Sequence, residues 1–157
     1  MTVFAVMVLI LAFFVLAMIW GVYVDWKNRS KTLSLAFPDN NPKDNYAYEI
    51  ITHTGPDSES ACESKISLTI SGEFAETNVR NLPAPNPILY RRYSHNNFVM
   101  TTPKSLGRIH SLRVIHDNSG RPPYDSWQLE RIVIHDLQQH SFYFFETNSW
   151  LTLDRSN

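Results

Sequence analysis

The sequence predicts two parts, an apolar N-terminal helix followed by an all-β domain of short strands packed as a sandwich or barrel. Two observations carry this prediction: residues 3–24 contain no charged side chain, and hydrophobic residues recur at every second position in short segments from residue 46 onward. The composition excludes other classes. Cys62 is the only cysteine, so no intramolecular disulfide is possible, and a net charge of -1 argues against a generally basic nucleic-acid binder.

The first element is predicted as a transmembrane helix over residues 1–25. Its uncharged stretch, 3–24, would extend roughly 33 Å as a helix, and the hydrocarbon core of a bilayer is about 30 Å thick. A cleaved signal peptide is the alternative, but the segment lacks a basic start and a small-residue cleavage site. Aromatic residues that suit the headgroup region gather at its C-terminal end: Trp20, Tyr23 and Trp26.

The charges next to this helix predict its orientation. Lys27, Arg29 and Lys31 follow the apolar segment, whereas only the amino terminus precedes it. The positive-inside rule therefore predicts a single-pass membrane chain whose C-terminal domain lies in the cytosol, and a lone free cysteine is consistent with that reducing compartment. Residues 26–45, with their prolines and asparagines and no helical period, are predicted as a juxtamembrane linker.

The segments after the linker alternate in polarity. In 65–71, Ile66, Leu68 and Ile70 fall on one face and polar residues on the other, which predicts one buried and one solvated face. The same pattern predicts further strands at 48–53, 98–102, 111–116, 131–136 and 141–146.

Two tryptophans and one change of parity add detail to this domain. Trp127 and Trp150 are predicted as core anchors, because large aromatic side chains contribute most to the burial of apolar surface. Between Leu129 and Ile132 the apolar parity shifts by one residue. That shift predicts a β-bulge near Glu130–Arg131.

A series of motifs follows these strands in order. They are His-Thr-Gly (53–55) after the first strand, His-Asp-Asn (116–118) closing a central strand, Trp127 opening the next, Val-Ile-His-Asp-Leu-Gln (133–138) ending it, and Asn-Ser-Trp-Leu (148–151) near the end. Together they resemble the PLAT (lipoxygenase homology) domain, and within that family most resemble the PLAT domain of polycystin-1-type proteins. The domain is assigned to residues 46–154.

The resemblance implies an eight-stranded antiparallel β-sandwich of two four-stranded sheets that binds lipids and proteins. In polycystin-1-type chains this domain lies in the first cytosolic loop after a transmembrane helix, and the order of segments here is similar. The sequence is therefore expected to be a fragment or short form of such a membrane protein. Catalysis is not expected, because no nucleophile elbow, zinc-binding helix or phosphate-binding loop occurs.

Basic residues are the candidates for contact with anionic phospholipids. Each one near an anionic cytosolic leaflet contributes ~1 kcal/mol, so several must cluster before they matter. The predicted lipid-binding residues are Lys27, Arg29, Lys31, Lys65, Arg91, Arg92, Lys104 and Arg108.

Ser94 is predicted as a phosphorylation site. Arg91 and Arg92 precede it at the positions that a basophilic kinase pairs with its acidic groove. A phosphate there would add about -1.5 to -2 charge and oppose the attraction of these arginines to anionic lipid. Polycystin-1-type PLAT domains have a similar basic-x-Ser element at this place.

Calcium is the one cofactor that the resemblance suggests, since some PLAT domains bind the ion in loops at one end of the sandwich. Asp57, Glu59, Glu63 and Asp117 have the oxygen ligands that calcium prefers. However, residues 58–63 lack the glycines of the calcium-binding members, so no cofactor is the main expectation. Asp117 is instead expected to cap a turn, and the Cys62 thiol is not expected to be reactive.

The predicted function is a membrane-anchored cytosolic module that binds anionic phospholipids and regulatory proteins, does not bind nucleic acid, and is switched by a basophilic kinase. Two alternatives stay open. One is a protein scaffold without lipid selectivity, and the other is a secreted, calcium-dependent lipid-binding module. Binding to anionic vesicles that weakens with salt would favour the membrane-anchored, lipid-binding module over both alternatives, because salt screens the attraction.

Overall fold

The structure, a computed structural model, describes residues 2–29, 34–58, 62–84 and 90–152; along the helix it describes the side chains of 6–8 and 10–22. The chain divides into two compact units, Met1–Leu33 and Ser34–Asn157. The first is helical and the second is built from strands, as the sequence predicts.

The first unit contains one helix, α1, over Thr2–Arg29, which ends later than the predicted span. The side chains described along it are exposed. Within the described residues, no helix has the combined length and apolar character needed to cross a bilayer. The predicted transmembrane span is therefore not confirmed.

The described part of the second unit contains eight strands. They are β1 Ser34–Ala36, β2 Tyr46–Thr54, β3 Ile66–Gly72, β4 Arg80–Asn81, β5 His95–Thr102, β6 Ile109–His116, β7 Trp127–Asp136 and β8 Ser141–Leu151. The six long strands all coincide with predicted segments, because each is long enough for its alternation to show. Strands β1 and β4 have two or three residues and show no such pattern.

The strands form two sheets, a five-stranded one in the order β1-β5-β2-β7-β8 and a three-stranded one in the order β4-β3-β6. The all-β sandwich is thus confirmed, but the implied division into two four-stranded sheets is not observed. Nor is the pairing antiparallel throughout, since β1 lies parallel to β5. Without β1, strand β5 would be the edge of the sheet, with unpaired backbone N–H and C=O groups. Strand β1 pairs with these groups and runs parallel to β5.

The segment 26–45 is not simply a linker, because part of it packs into the sandwich. Besides strand β1, it contributes Phe37, whose side chain is 2% exposed. The Asn40 amide donates to the Val99 carbonyl at 2.9 Å and accepts from the Thr101 N–H at 2.9 Å. The prolines and asparagines that suggested a flexible connection instead form turns that fasten this segment to β5.

The core lies between the two sheets and contains Trp127, which is fully buried as predicted. Trp150 is only partly buried, because it pairs across strands with Gln128 and so shares its outward face. The predicted bulge is confirmed, since the β7–β8 register shifts between Leu129 and Arg131. Fully buried neighbours include Tyr48, Ile50, Leu68, Ile70, Phe98, Met100, Ile132 and Ile134.

Candidate functional site

The loops gather at two opposite ends of the sandwich. The Tyr93 end comprises residues 55–58, 62–65, 90–94 and 117–126, and the Phe74 end comprises residues 37–45, 73–79, 103–108 and 137–140. Backbone hydrogen bonds join the loops of each end, for example Glu63 N–H to Tyr124 C=O at 2.8 Å and Glu73 N–H to Arg108 C=O at 3.0 Å. Strand β5 runs from one end to the other, which separates them by roughly 25 Å at ~3.3 Å per residue.

The predicted lipid-binding cations are divided between these ends. Lys65, Arg91 and Arg92 are exposed at the Tyr93 end, whereas Lys104 and Arg108 are exposed at the Phe74 end. These five side chains therefore do not share one surface, so the predicted lipid-binding residues do not form a single cluster. Lys31 lies outside the described residues, and the side chains of Lys27 and Arg29 are not described.

The Tyr93 end places two cations and an aromatic ring in a single turn. The Ser94 N–H donates to the Arg91 carbonyl at 2.9 Å and closes the turn. Tyr93 has a positive φ of 56° and a ring that is 63% exposed. The guanidinium carbon of Arg92 lies 5.3 Å from the centroid of that ring, within the range of a cation–π contact.

A second loop brings further residues of the same kind to this end. Arg121 is exposed, and Tyr124 is 42% exposed. The sequence analysis did not single out this loop, although an arginine and a tyrosine flanking two prolines are a readable signal for an exposed amphipathic tip. Among the described residues of this end, the acidic side chains equal the basic ones in number, so the cations of the turn 90–94 act locally rather than through a net positive charge. These acidic residues are Asp57, Glu63, Asp117 and Asp125.

Ser94 is partly buried, and its hydroxyl is already engaged. It donates to Thr54 Oγ1 at 3.2 Å and accepts from Asn96 Nδ2 at 3.2 Å. Thr54 Oγ1 in turn accepts from the indole N–H of the buried Trp127 at 2.9 Å. The sequence could not reveal this chain of hydrogen bonds, because its members come from three different strands and the turn before one of them.

The predicted calcium ligands do not converge in the described part of the chain, where no group of three or more metal-ligating side chains occurs. Asp57 accepts from Gln128 Nε2 at 3.0 Å. Asp117 Oδ1 accepts from the Ser119 hydroxyl at 2.7 Å and from the backbone of Ser119 and Lys65, and these hydrogen bonds hold its pKa below the ordinary value. Asp117 thus caps a turn, as the sequence suggested. Glu59 lies outside the described residues.

Cys62 is buried beneath the same loops. Its Sγ lies 3.5 Å from His116 Nε2, and His116 Nδ1 lies 2.9 Å from Asn118 Oδ1. Burial raises the pKa of the Cys62 thiol and lowers the pKa of His116, so both groups favour their neutral forms. A protonated, buried thiol is a poor nucleophile, which agrees with the expectation that Cys62 is unreactive.

The Phe74 end has a different character. The Phe74 side chain is 73% exposed and packs over Gly107, where an added Cβ would lie 2.8 Å from the Phe74 ring and the positive φ of 77° also favours glycine. Beside it lies a cavity of about 330 Å³. Its lining includes Thr77, Asn78, Arg80, Thr102, Lys104 and Leu106.

Comparison with known families identifies this arrangement. The sequence of residues 48–157 matches the family model of the PLAT/LH2 domain. The chain belongs to the PLAT/LH2 domain family. The resemblance inferred from the sequence motifs is thereby confirmed.

Relatives of this PLAT chain come from the polycystin family. It is 34% identical over 154 residues to the polycystin family receptor for egg jelly of Homo sapiens, covering 98% of this chain and 7% of that protein. It is 30% identical over 145 residues to polycystin-1-like protein 3 of Homo sapiens, covering 92% and 8%. Polycystin-1 of Homo sapiens is 30% identical over 119 residues, covering 76% and 3%. The chain thus spans less than a tenth of the length of these relatives.

Solved structures share the fold of the PLAT unit. A lipoxygenase crystal structure, Delta413-417:GS LOX, has a TM-score of 0.59 at 19% identity and covers 68% of this chain and 15% of its own. The coral 8R-lipoxygenase, described as activated by calcium through a C2-like domain, has a TM-score of 0.58 at 20% identity and covers 67% and 15%. Identities of this size establish a common fold and nothing more specific.

Proposed function

We propose that this PLAT chain is a non-catalytic module that binds anionic phospholipid through its Tyr93 end. The observation that carries the proposal is the turn in which Arg91, Arg92 and an exposed Tyr93 project together. A tyrosine ring suits the headgroup region of a membrane, because its body is apolar and its hydroxyl is polar. Two adjacent guanidinium groups supply the charge that attracts phosphate and carboxylate headgroups.

The polycystin relatives support a site of action at a membrane. Within this proposal, residues 3–24 anchor the chain and the PLAT unit lies in the cytosol, a topology that rests on the uncharged sequence of that segment and the basic residues after it. The coral lipoxygenase is a fold neighbour whose C2-like domain mediates calcium activation. Calcium is not included in the proposal, because Asp117 already caps a turn.

The lipid proposal is tested with the full chain held in phosphatidylcholine nanodiscs and mixed with separate, sedimentable vesicles. We expect co-sedimentation with vesicles that contain phosphatidylserine, weak co-sedimentation with pure phosphatidylcholine vesicles, and loss of the difference at high salt. The double variant Arg91→Gln/Arg92→Gln should weaken binding by roughly 10- to 30-fold, since each cation contributes ~1 kcal/mol.

The other end of the sandwich provides the matched control. Lys104→Gln/Arg108→Gln removes the same charge from the Phe74 end. Binding to phosphatidylserine vesicles should stay within about twofold, because these residues lie away from the proposed site and their long-range attraction is screened by salt. Equal losses in both double variants would mean that net charge, rather than the Tyr93 end, drives binding. Equal binding of the unmodified chain to neutral and anionic vesicles would contradict the proposal outright.

Regulation by a basophilic kinase at Ser94 completes the proposal. The added phosphate would lie beside Arg91 and Arg92 and reduce their attraction for anionic lipid. Regulatory proteins are a second class of partner. The exposed Phe74 beside a cavity favours the Phe74 end for such a contact, because an aromatic anchor next to a pocket is a common feature of protein interfaces.

A further inference from the structure

We infer that the turn 90–94 is a strained segment closed by a hydroxyl latch, which must open before Ser94 can be phosphorylated and cannot close afterwards. The inference rests on the proposed function, in which Ser94 is a kinase site at the lipid-binding end. It adds a conformational step to that regulation: a kinase acts on an open form of the turn, and the phosphate then keeps the turn open.

The latch consists of the hydrogen bonds around the Ser94 side chain. Its hydroxyl donates to Thr54 Oγ1 at 3.2 Å and accepts from Asn96 Nδ2 at 3.2 Å. The Ser94 carbonyl also accepts from the Thr54 N–H at 3.0 Å. Thr54 is 1% exposed and is itself fixed by the Trp127 indole N–H at 2.9 Å. Ser94 is therefore fastened to a buried group through both its side chain and its backbone.

Strain in the turn opposes the latch. Tyr90 and Tyr93 have positive φ angles of 63° and 56°, a backbone conformation that bulky residues rarely adopt. The Tyr90 hydroxyl is buried and has no hydrogen-bond partner in the described part of the chain. The Tyr93 conformation costs free energy in the closed form and is relieved when residues 91–94 move outward, whereas the Tyr90 ring, with its centroid 4.7 Å from that of Trp127, stays packed in the core. The closed form thus depends on the latch more than an unstrained turn would.

Phosphoryl transfer requires the hydroxyl that the latch holds. In the reaction, Ser94 Oγ forms a bond to the γ-phosphorus of ATP, the bond from that phosphorus to the β–γ bridging oxygen breaks, and the hydroxyl proton passes to the kinase base. In the closed turn that proton is directed at Thr54. The product carries about -1.5 to -2 charge, and burying this charge against Thr54 and the fully buried Trp127 would be costly.

The experiment compares two substitutions on strand β2 in the full chain. Thr54→Val removes the acceptor of the latch. Thr52→Val is the matched control, because Thr52 is also fully buried and faces the same interior two residues earlier, and because its hydroxyl makes one long hydrogen bond within the described residues, to the Asn96 carbonyl at 3.5 Å. Hydrogen exchange at residues 90–95 is measured first, without kinase. We expect exchange there to accelerate by at least about fivefold to tenfold in Thr54→Val, which removes the acceptor of both the Ser94 hydroxyl and the Trp127 indole N–H, and to change little in Thr52→Val.

A basophilic serine kinase with ATP then measures the rate at Ser94, with a synthetic peptide of residues 87–98 as the unlatched reference. We expect the peptide to react fastest, Thr54→Val next, and the unmodified and Thr52→Val chains slowest. Equal rates for the peptide and the unmodified chain, or equal acceleration of exchange by both substitutions, would overturn the latch. A peptide that is not phosphorylated would instead refute the kinase site, and the exchange data would still decide whether the latch exists.

Discussion

At the Tyr93 end of the sandwich, the turn 90–94 is held to the strands by the buried Tyr90 ring and by the carbonyl and side-chain hydroxyl of Ser94, whereas at the Phe74 end consecutive backbone amides join two loops. Three consecutive amides, Gly72, Glu73 and Phe74, donate to the carbonyls of Ala75, Arg108 and Leu106. The proposed latch would therefore be lost through a change to one side chain, whereas these three backbone bonds at the Phe74 end involve no side chain. One end is suited to regulation and the other to rigid presentation of Phe74.

The largest expected effect comes from breaking the backbone clamp. In Gly72→Ala, the new Cβ would lie 2.2 Å from the Leu106 carbonyl oxygen, so the backbone of loop 103–108 must move. We expect a loss of about 3 kcal/mol in the free energy of unfolding, measured by thermal or denaturant unfolding, and faster hydrogen exchange across the Phe74 end.

Gly55→Ala is the corresponding change at the Tyr93 end. Its Cβ would meet the side chain of Gln128, at 2.4 Å from Oε1, and a side chain can rotate away. We therefore expect a smaller loss of stability, the cost being that Gln128 releases the Asp57 N–H that it accepts at 2.6 Å. A Gly55→Ala variant at least as unstable as Gly72→Ala would contradict the contrast between the two ends.

A smaller effect is expected from Tyr48→Phe, which removes a side-chain hydroxyl that supports loop 103–108. The Tyr48 hydroxyl accepts from the Leu106 N–H at 2.8 Å, and both residues are buried. Without it, that N–H has lost its acceptor, and we expect a loss of about 1–2 kcal/mol. Hydrogen exchange should accelerate at Leu106, while the phosphorylation rate at Ser94 stays unchanged. A faster rate at Ser94 would show that the two ends are coupled.

The sequence analysis recovered the parts of this architecture that repeat over several residues. Alternation predicted all six long strands, and the parity change after Leu129 predicted the bulge, because both are properties of consecutive side chains. Strands β1 and β4 are too short to show alternation, so the division into five and three strands was missed. The Arg91–Arg92 motif was readable, but its separation from Lys104 and Arg108 depends on strand order, which no local pattern encodes.

The latch illustrates the same limit. Ser94 and Thr54 lie 40 residues apart and meet only because β2 and β5 are neighbours in register. The turn residues gave a kinase motif, yet nothing in the sequence indicated that the hydroxyl would be occupied. Long-range hydrogen bonds between small polar side chains leave no periodic signal in the sequence.

Acid should weaken the Tyr93 end before the Phe74 end. Two histidines at the Tyr93 end favour the neutral form: burial lowers the pKa of His116, and burial together with the charges of His95 and Arg131 lowers the pKa of His53. An unfolded histidine has a pKa of about 6.5. Below that pH the unfolded chain binds more protons than the folded chain, so stability falls as the pH decreases toward the lowered folded values.

The variant His116→Gln sharpens this last comparison, because glutamine retains a hydrogen-bonding group near Cys62 and Asn118 but does not titrate. Between pH 7.5 and 5.5 we expect the melting temperature of this variant to fall by less than that of the unmodified chain, because His116 no longer contributes. Protonation of His53 should account for part of the fall that remains. His110→Gln, at an exposed position of the same strand, is the control and should leave the slope unchanged. In the unmodified chain, protection factors, which are exchange rates corrected for the intrinsic effect of pH, should fall at 117–126 between pH 7.5 and 5.5 while those at 103–108 stay unchanged. Simultaneous loss of protection at both ends would mean that acid unfolds the sandwich as a whole, whereas protonation of His116 and His53 requires the Tyr93 end to lose protection first.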